Sequence, residues 1–242
     1  MSEAAGKRSF SRRPRAERME QIEAAARDVF SRNGFAAASI SEIAAGAGVV
    51  EGTIYKYYEN KRDLLLTVLQ RWYESMIADY VDQLAGVAGL RNRLRFVIWR
   101  HLKSIKDNPD LCRLFYAEVR GSDDYYESTL YRLNREYTNV LMRILRDGMA
   151  AGELRPDLSI ALVRDMIFGG IEHHVATFLA RRGELDVERA AEQLTDMVMA
   201  GIVQPPPAPA SLGLEAAVRR LERVAERLDP PARGEQQDTG PC

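Results

Sequence analysis

The chain has 242 residues, 46% hydrophobic and 29% charged, which suits a protein with a sizeable core and excludes low-complexity or collagen-like chains. Two cysteines, Cys112 and Cys242, build neither a disulfide framework nor a CxxC metal site, and no apolar run reaches the roughly 18 residues of a membrane span. The net charge of -1 conceals a basic front: residues 1–62 carry eleven Lys/Arg against eight Asp/Glu, residues 63–203 sum to -3 and the rest to -1, a weak pointer to an anionic partner.

The N-terminus is polar and Arg-rich, with no apolar stretch of the kind a signal peptide needs, so the cytoplasm is the expected compartment. Residues 1–14 read as a basic flexible arm containing Lys7, Arg8, Arg12 and Arg13, followed by Arg15. Ile22, Ala25, Ala26, Val29 and Phe30 then recur at helical spacing, and Gly34 supplies a stop. Ser39-Ile40-Ser41-Glu42 has the spacing of a capping box, which opens a short helix with Ile43, Ala44 and Ala47 on its buried side. Gly48 ends it in a tight turn, and a third short helix follows at about 51–57.

Glu59 or Asn60 starts a long fourth helix, with Leu64, Val68 and Trp72 along one side and Gly86 near its end. Further helices are predicted at about 90–107, 110–120, 124–151, 159–181 and 187–203, punctuated by Asn108-Pro109 and by Gly152 to Pro156. No stretch alternates as a strand would, so the fold class is all-α. Residues 204–211 form a Pro-rich linker, residues 212–228 an amphipathic helix with Leu214, Leu221 and Leu228 every seven positions, and residues 229–242 a disordered tail.

Residues 39–58 thus read as a helix-turn-helix within a DNA-binding segment at 15–62. Its second helix is short enough to enter a major groove and would present Glu51, Gly52, Thr53, Lys56 and Tyr57. Hydroxyls and ammonium groups suit phosphate oxygens, and Lys61 adds a cation at the start of the next helix. The same tyrosines also suit a packed surface, with Ile54 and Tyr58 as core. Cys112 reads as a small core residue. Adjacent His173 and His174 point about 100° apart on a helix and fit packing better than one metal.

The stretch "IEAAARDVFSRNGFAAASISEIAAGAGVVEGTIYKYYENKRDLL" resembles the N-terminal domain of the TetR family of bacterial transcriptional repressors. The resemblance covers residues 15–66. It rests on Asn33-Gly34-Phe35, Ile43-Ala44, Ala47-Gly48-Val49, Tyr55-Lys56-Tyr57-Tyr58 and Asn60-Lys61, with Tyr58 where Phe is usual. It implies a three-helix DNA-binding domain followed by a larger helical ligand-binding and dimerisation domain at 63–203. It also implies a homodimer joined through the helices at about 159–181 and 187–203, reading a palindromic operator in double-stranded DNA. Tyr55, Tyr57 and Lys61 match phosphate-contacting positions. Glu51, Gly52, Thr53 and Lys56 match base-reading or flanking positions, and Ser39 and Ser41 match positions near the backbone.

Two later stretches, "LFYAEVRGS" and "RDMIFGGIEHHVATFL", are similar to a TetR subgroup that controls fatty-acid degradation and responds to long-chain acyl-CoA. That resemblance implies a small-molecule effector, with no cofactor or metal. The side chains open to an acyl channel are Trp99, Phe115, Tyr137, Leu141, Met166 and Phe168, with Arg100 or Arg120 for the head-group phosphates; taken singly, each reads more readily as plain core or surface. An aromatic pocket also serves a drug-like effector of an efflux or detoxification repressor. An enzyme would need a convergent acid/base or metal constellation, and three histidines with no HExxH supply none; a helical adaptor would leave the helix-turn-helix without a purpose.

Overall fold

The computed structural model describes residues 15–204 and 214–228, so the arm at 1–14, the linker from 205 on and the tail from 229 on lie outside the described residues. Residues up to Val203 make one compact unit, and those from Gln204 on make a second.

Among the described residues the first unit is built from ten α-helices. Helix α1 (Arg15–Ala37) buries Ile22, Ala25, Ala26, Val29 and Phe30, the stripe its spacing foretold. Gly34, at φ 74° and ψ 172°, kinks it rather than ending it, and helical turns resume through Ala37. Helix α2 (Ile40–Ala47) crosses α1 closely at Gly46, where an added Cβ would stand 3.3 Å from that of Ala25. Helix α3 (Glu51–Ile54) is one turn of α-helix followed by looser turns to Tyr57, shorter than the predicted 51–57. Helix α4 (Lys61–Leu84) is capped by the Asn60 side chain, which accepts from the Asp63 N–H, and carries the chain into the body.

The body comprises α5 (Leu90–Asp107), α6 (Pro109–Phe115), α7 (Thr129–Ala150), α8 (Ile160–His174), α9 (Ala176–Leu179) and α10 (Val187–Ile202). Three predicted helices are subdivided. The 110–120 segment leaves α-helical geometry at Tyr116 and finishes as a π-helical turn through Arg120. The 124–151 segment begins with a 3-10 turn at Tyr125–Glu127, and Ser128, accepting from the Tyr131 N–H, starts α7 afresh. The 159–181 segment breaks at Val175 into α8 and α9. No strand forms among the described residues, and a lone bridge joins Leu154 to Val203.

The core is continuous from head to body. Tyr73 and Tyr80 of α4 pack edge-on or tilted against Tyr137 of α7, and Tyr73 also meets Phe115. The Tyr80 hydroxyl donates to the Val97 carbonyl at 3.1 Å, so its burial leaves no polar group stranded. Cys112 is a buried free thiol whose pKa burial pushes up to about 12, so it is a packing residue. No helix among the described residues is long and apolar enough to cross a membrane. The second unit contributes α11 (Leu214–Leu228).

Candidate nucleic-acid interface and effector cleft

The helix-turn-helix is fixed by its own residues, from the cap of α2 to the turn before α3. The Ser39 hydroxyl accepts from the Glu42 N–H, and the Glu42 carboxylate accepts from the Ser39 N–H, each at 3.1 Å. The Ser39 hydroxyl also donates to that carboxylate at 2.8 Å, and this bond, followed by the one from the Ser39 N–H, holds the Glu42 carboxyl below its usual pKa. Gly48 adopts the left-handed conformation (φ 63°, ψ 39°), and the Val49 N–H returns to the Ala44 carbonyl at 3.0 Å. Ile54 and Tyr58 face the core, and the Tyr58 hydroxyl donates to Glu23 of α1 at 2.9 Å.

With that face anchored, the opposite face of α3 is open. Glu51, Gly52, Tyr55 and Lys56 are exposed, Thr53 and Tyr57 half-buried, and Ser41 exposed on α2. An added Cβ at Gly52 would meet nothing within 4 Å, so no packing within the chain requires glycine there. Val50, just ahead of α3, is 74% exposed and was not among the residues nominated from the sequence. Arg15, the first residue of α1, stacks its guanidinium over the Tyr57 ring at 5.6 Å.

Two sequence-nominated residues are otherwise engaged. The Lys61 ammonium donates to the carbonyls of Phe35, Ala36 and Ala38 at 2.8, 3.3 and 2.8 Å and lies over the Phe35 ring. It therefore satisfies carbonyls at the end of α1. The Ser39 hydroxyl is committed to its capping box.

In the body, a cleft of about 440 Å³ opens between α7, α8 and the π-helical turn. Tyr73, Phe115, Tyr116 and Phe168 line its floor, and Arg120, Arg135 and Arg164 stand around it together with Asp165 and Glu172. Arg120 donates to the Tyr125 hydroxyl at 3.2 Å and lies 3.8 Å from Glu172, while Arg164 pairs with Asp165. His101 lines the cleft too, its Nδ1 3.0 Å from the Tyr137 hydroxyl; burial lowers its pKa to about 4, so the ring is neutral near pH 7.

Tyr73, His101, Phe115 and Tyr116 also border an inner gap of about 20 Å³, roughly room for one water. Tyr137 lines that gap. On its far side Trp72, Met76 and Ser104 are shared with a second cleft of about 410 Å³ between α1, α4 and α5. Arg100 lies in this second cleft, paired with Asp79 at 3.0 Å, and its Nε and the Trp72 Nε1 are buried without a hydrogen-bond partner.

The eight residues nominated from sequence for the effector thus divide. Phe115, Arg120 and Phe168 meet in the first cleft, Tyr137 lines the gap behind it, and Arg100 faces the second. Trp99 instead donates its Nε1 to Glu188 of α10, Leu141 is fully buried, and Met166 is 66% exposed on the outer side of α8. Among the described residues no cluster of His, Cys, Asp and Glu could hold a metal, and His173 and His174 are both exposed near the end of α8.

Two family models account for nearly all of the first unit. The N-terminal model of bacterial regulatory proteins of the tetR family matches residues 22–68, and the model of the YsiA-like protein C-terminal region matches residues 69–201, more than half the chain. The chain belongs to the TetR family. It is a DNA-binding regulator, and the helix-turn-helix is its DNA-binding element.

Among curated TetR-type relatives, the fatty acid metabolism regulator protein of Bacillus subtilis (strain 168) is 29% identical over 182 residues, 75% of this chain and 94% of that protein. The crystal structure of FadR from Bacillus subtilis in complex with stearoyl-CoA is 29% identical with a TM-score of 0.68, covering 76% of this chain and 98% of that one. FadR from Bacillus halodurans, a fatty acid degradation regulator, is 26% identical with a TM-score of 0.67 over 75% and 98%.

Proposed function

We propose that this TetR-family protein is a homodimeric repressor of fatty-acid metabolism genes that leaves its palindromic operator when long-chain acyl-CoA binds the body. The supporting observation is the character of the first cleft: an aromatic floor of Tyr73, Phe115 and Phe168 beneath a rim holding three arginines. An amphiphile with an apolar tail and an anionic head fits such a site, and its volume lies in the range of small-molecule pockets. The 29% identity over nearly the whole length of a fatty acid metabolism regulator supports the same reading.

The gap behind the floor is far too small for an acyl chain as it stands. A tail entering it pushes apart Phe115, Tyr116 and Tyr137, and so separates α4 from α6 and α7. That requirement gives the ligand different affinities for two states, the thermodynamic condition for a switch. The route to the DNA-binding head starts at the π-helical turn, which supplies Tyr116 and Arg120 to the cleft. Arg62, at the head end of α4, donates to the Glu118 carbonyl of that turn at 3.2 Å and lies 3.8 Å from Asp124. Displacing the turn pulls on α4 and rotates the helix-turn-helix against its twin.

In the operator-bound dimer, Tyr55, Tyr57 and Ser41 meet phosphates while Glu51, Gly52, Thr53 and Lys56 face base edges; Ser39 and Lys61 hold the frame. Dimerisation through α8 and α10 is supported by the exposed apolar side chains of Leu162, Met166 and Met197. The test is titration of stearoyl- and oleoyl-CoA into a protein–operator complex followed by fluorescence anisotropy. Release by long-chain species, with none by free CoA or acetyl-CoA, is the expected result. Indifference to every chain length, with release by drug-like aromatics, sinks the acyl-CoA reading and favours an efflux or detoxification repressor.

A further inference from the structure

Helix α11 leaves an apolar stripe open: among the described residues Val218, Leu221 and Val224 are 42, 69 and 48% exposed. At about 100° per residue, these three and Ala217 and Ala225 fall within about 60° of Leu221. The charges on either side of the stripe are sorted. In the sequence, Glu222 stands on one flank, about 100° from Leu221, and Arg220 on the other, about 100° the opposite way.

Two such helices packed stripe to stripe in parallel set the Glu flank of each beside the Arg flank of the other, along both edges. The antiparallel arrangement sets Glu against Glu and Arg against Arg. We propose that α11 pairs in parallel with α11 of a second copy of this chain. Fifteen residues are marginal as an isolated helix, and burying the stripe in a partner supplies what propensity does not. Residues 204–213 span at most about 35 Å, so two chains already joined through their bodies hold their α11 helices at millimolar effective concentration. Only this tether rests on the body dimer proposed above; the charge argument stands without it.

The test uses the full chain with Cys242→Ser, which leaves only the buried Cys112. Val224 lies away from the helix midpoint, so only a parallel pair sets it against its own copy. Under mild oxidation Val224→Cys is expected to form a disulfide-linked dimer, and Arg223→Cys, on the far side of the helix, to form none. Arg220→Glu is expected to suppress the Val224→Cys link and the further change Glu222→Arg to restore it. Sedimentation of a chain ending at Val203 is expected to give a dimer dissociation constant weakened at least about tenfold.

Absence of the Val224→Cys link, or equal linking at Arg223→Cys, overturns the pairing. So does an unchanged dissociation constant after truncation. A truncated chain that stays dimeric beside an unlinked Val224→Cys chain removes the helix pairing alone. A monomeric truncated chain beside a linked full one removes the body dimer alone.

Discussion

The helix-turn-helix and the cleft in the body are built in opposite ways. Ser39 and Glu42 hold each other across three positions, and Gly48 and Val49 return to carbonyls of the helix just left. The cleft draws Tyr73, His101, Phe115, Arg135 and Phe168 from five helices and almost 100 residues of chain. Local rules fix the first, and only the packed fold assembles the second. A reader that must dock on a regular duplex needs a rigid frame, whereas a receptor that must open needs a core with a gap and strandable polar groups.

The sharpest way to break this contrast is to empty the cleft's floor. Phe115 is buried and meets Tyr73, Tyr116 and Tyr125. Phe115→Ala is expected to cost about 3–5 kcal/mol in urea unfolding. Operator affinity measured below the unfolding transition should stay within a few-fold of the parent, while the response to acyl-CoA changes. If operator affinity collapses with the protein still folded, head and body are less separable than the contrast holds.

Lys61 offers the next test, because its role distinguishes frame from reader. Lys61→Met removes three charge-assisted bonds to the end of α1 and should destabilise the fold by about 1–3 kcal/mol. The slope of log operator affinity against log salt is expected to stay unchanged. A slope smaller by about one would make the ammonium a phosphate contact instead.

His101 sharpens the body side through pH. Its folded pKa of about 4 lies below the ordinary value of 6.5, because burial disfavours the imidazolium. The unfolded chain therefore binds more protons in that window, and stability falls as pH drops from about 6.5 toward 4. The ring is only half-buried where it borders the cleft, so the loss between pH 7 and pH 5 is about 1–2 kcal/mol. Urea melts of the parent and His101→Gln at the two pH values measure it. An identical pH dependence in both would mean that the ring protonates freely.

What the sequence disclosed follows the same division. The α1 stripe, the capping box and the Gly48 turn are statements about residues within a few positions of one another, and each was legible. Lys61 reads from the sequence as a phosphate contact at a helix start; the carbonyls it meets lie 23 to 26 residues upstream, around a kink that Gly34 alone did not reveal. Phe115, Arg120 and Phe168 were found through resemblance. Arg135, Arg164 and His101 carry no periodic signal and became visible only once α5, α7 and α8 were packed. The break at Val175 has neither glycine nor proline to announce it, whereas Ser128 did offer a readable N-cap inside a segment taken as one helix.

The smallest effect is the most discriminating for the reading face, because its two readouts move in opposite directions. Gly52 sits in α3 with open space where a Cβ would go, so Gly52→Ala meets no clash within the chain. Alanine favours a helix over glycine by about 0.5–1 kcal/mol, and the variant should be more stable by up to that amount in thermal unfolding. If the α3 backbone approaches the duplex closely, the added methyl group falls between protein and DNA and operator affinity drops although the fold has gained. A gain in stability with unchanged operator affinity would instead mean that the duplex lies farther from Gly52, with Tyr55 and Lys56 reaching it through side chains alone.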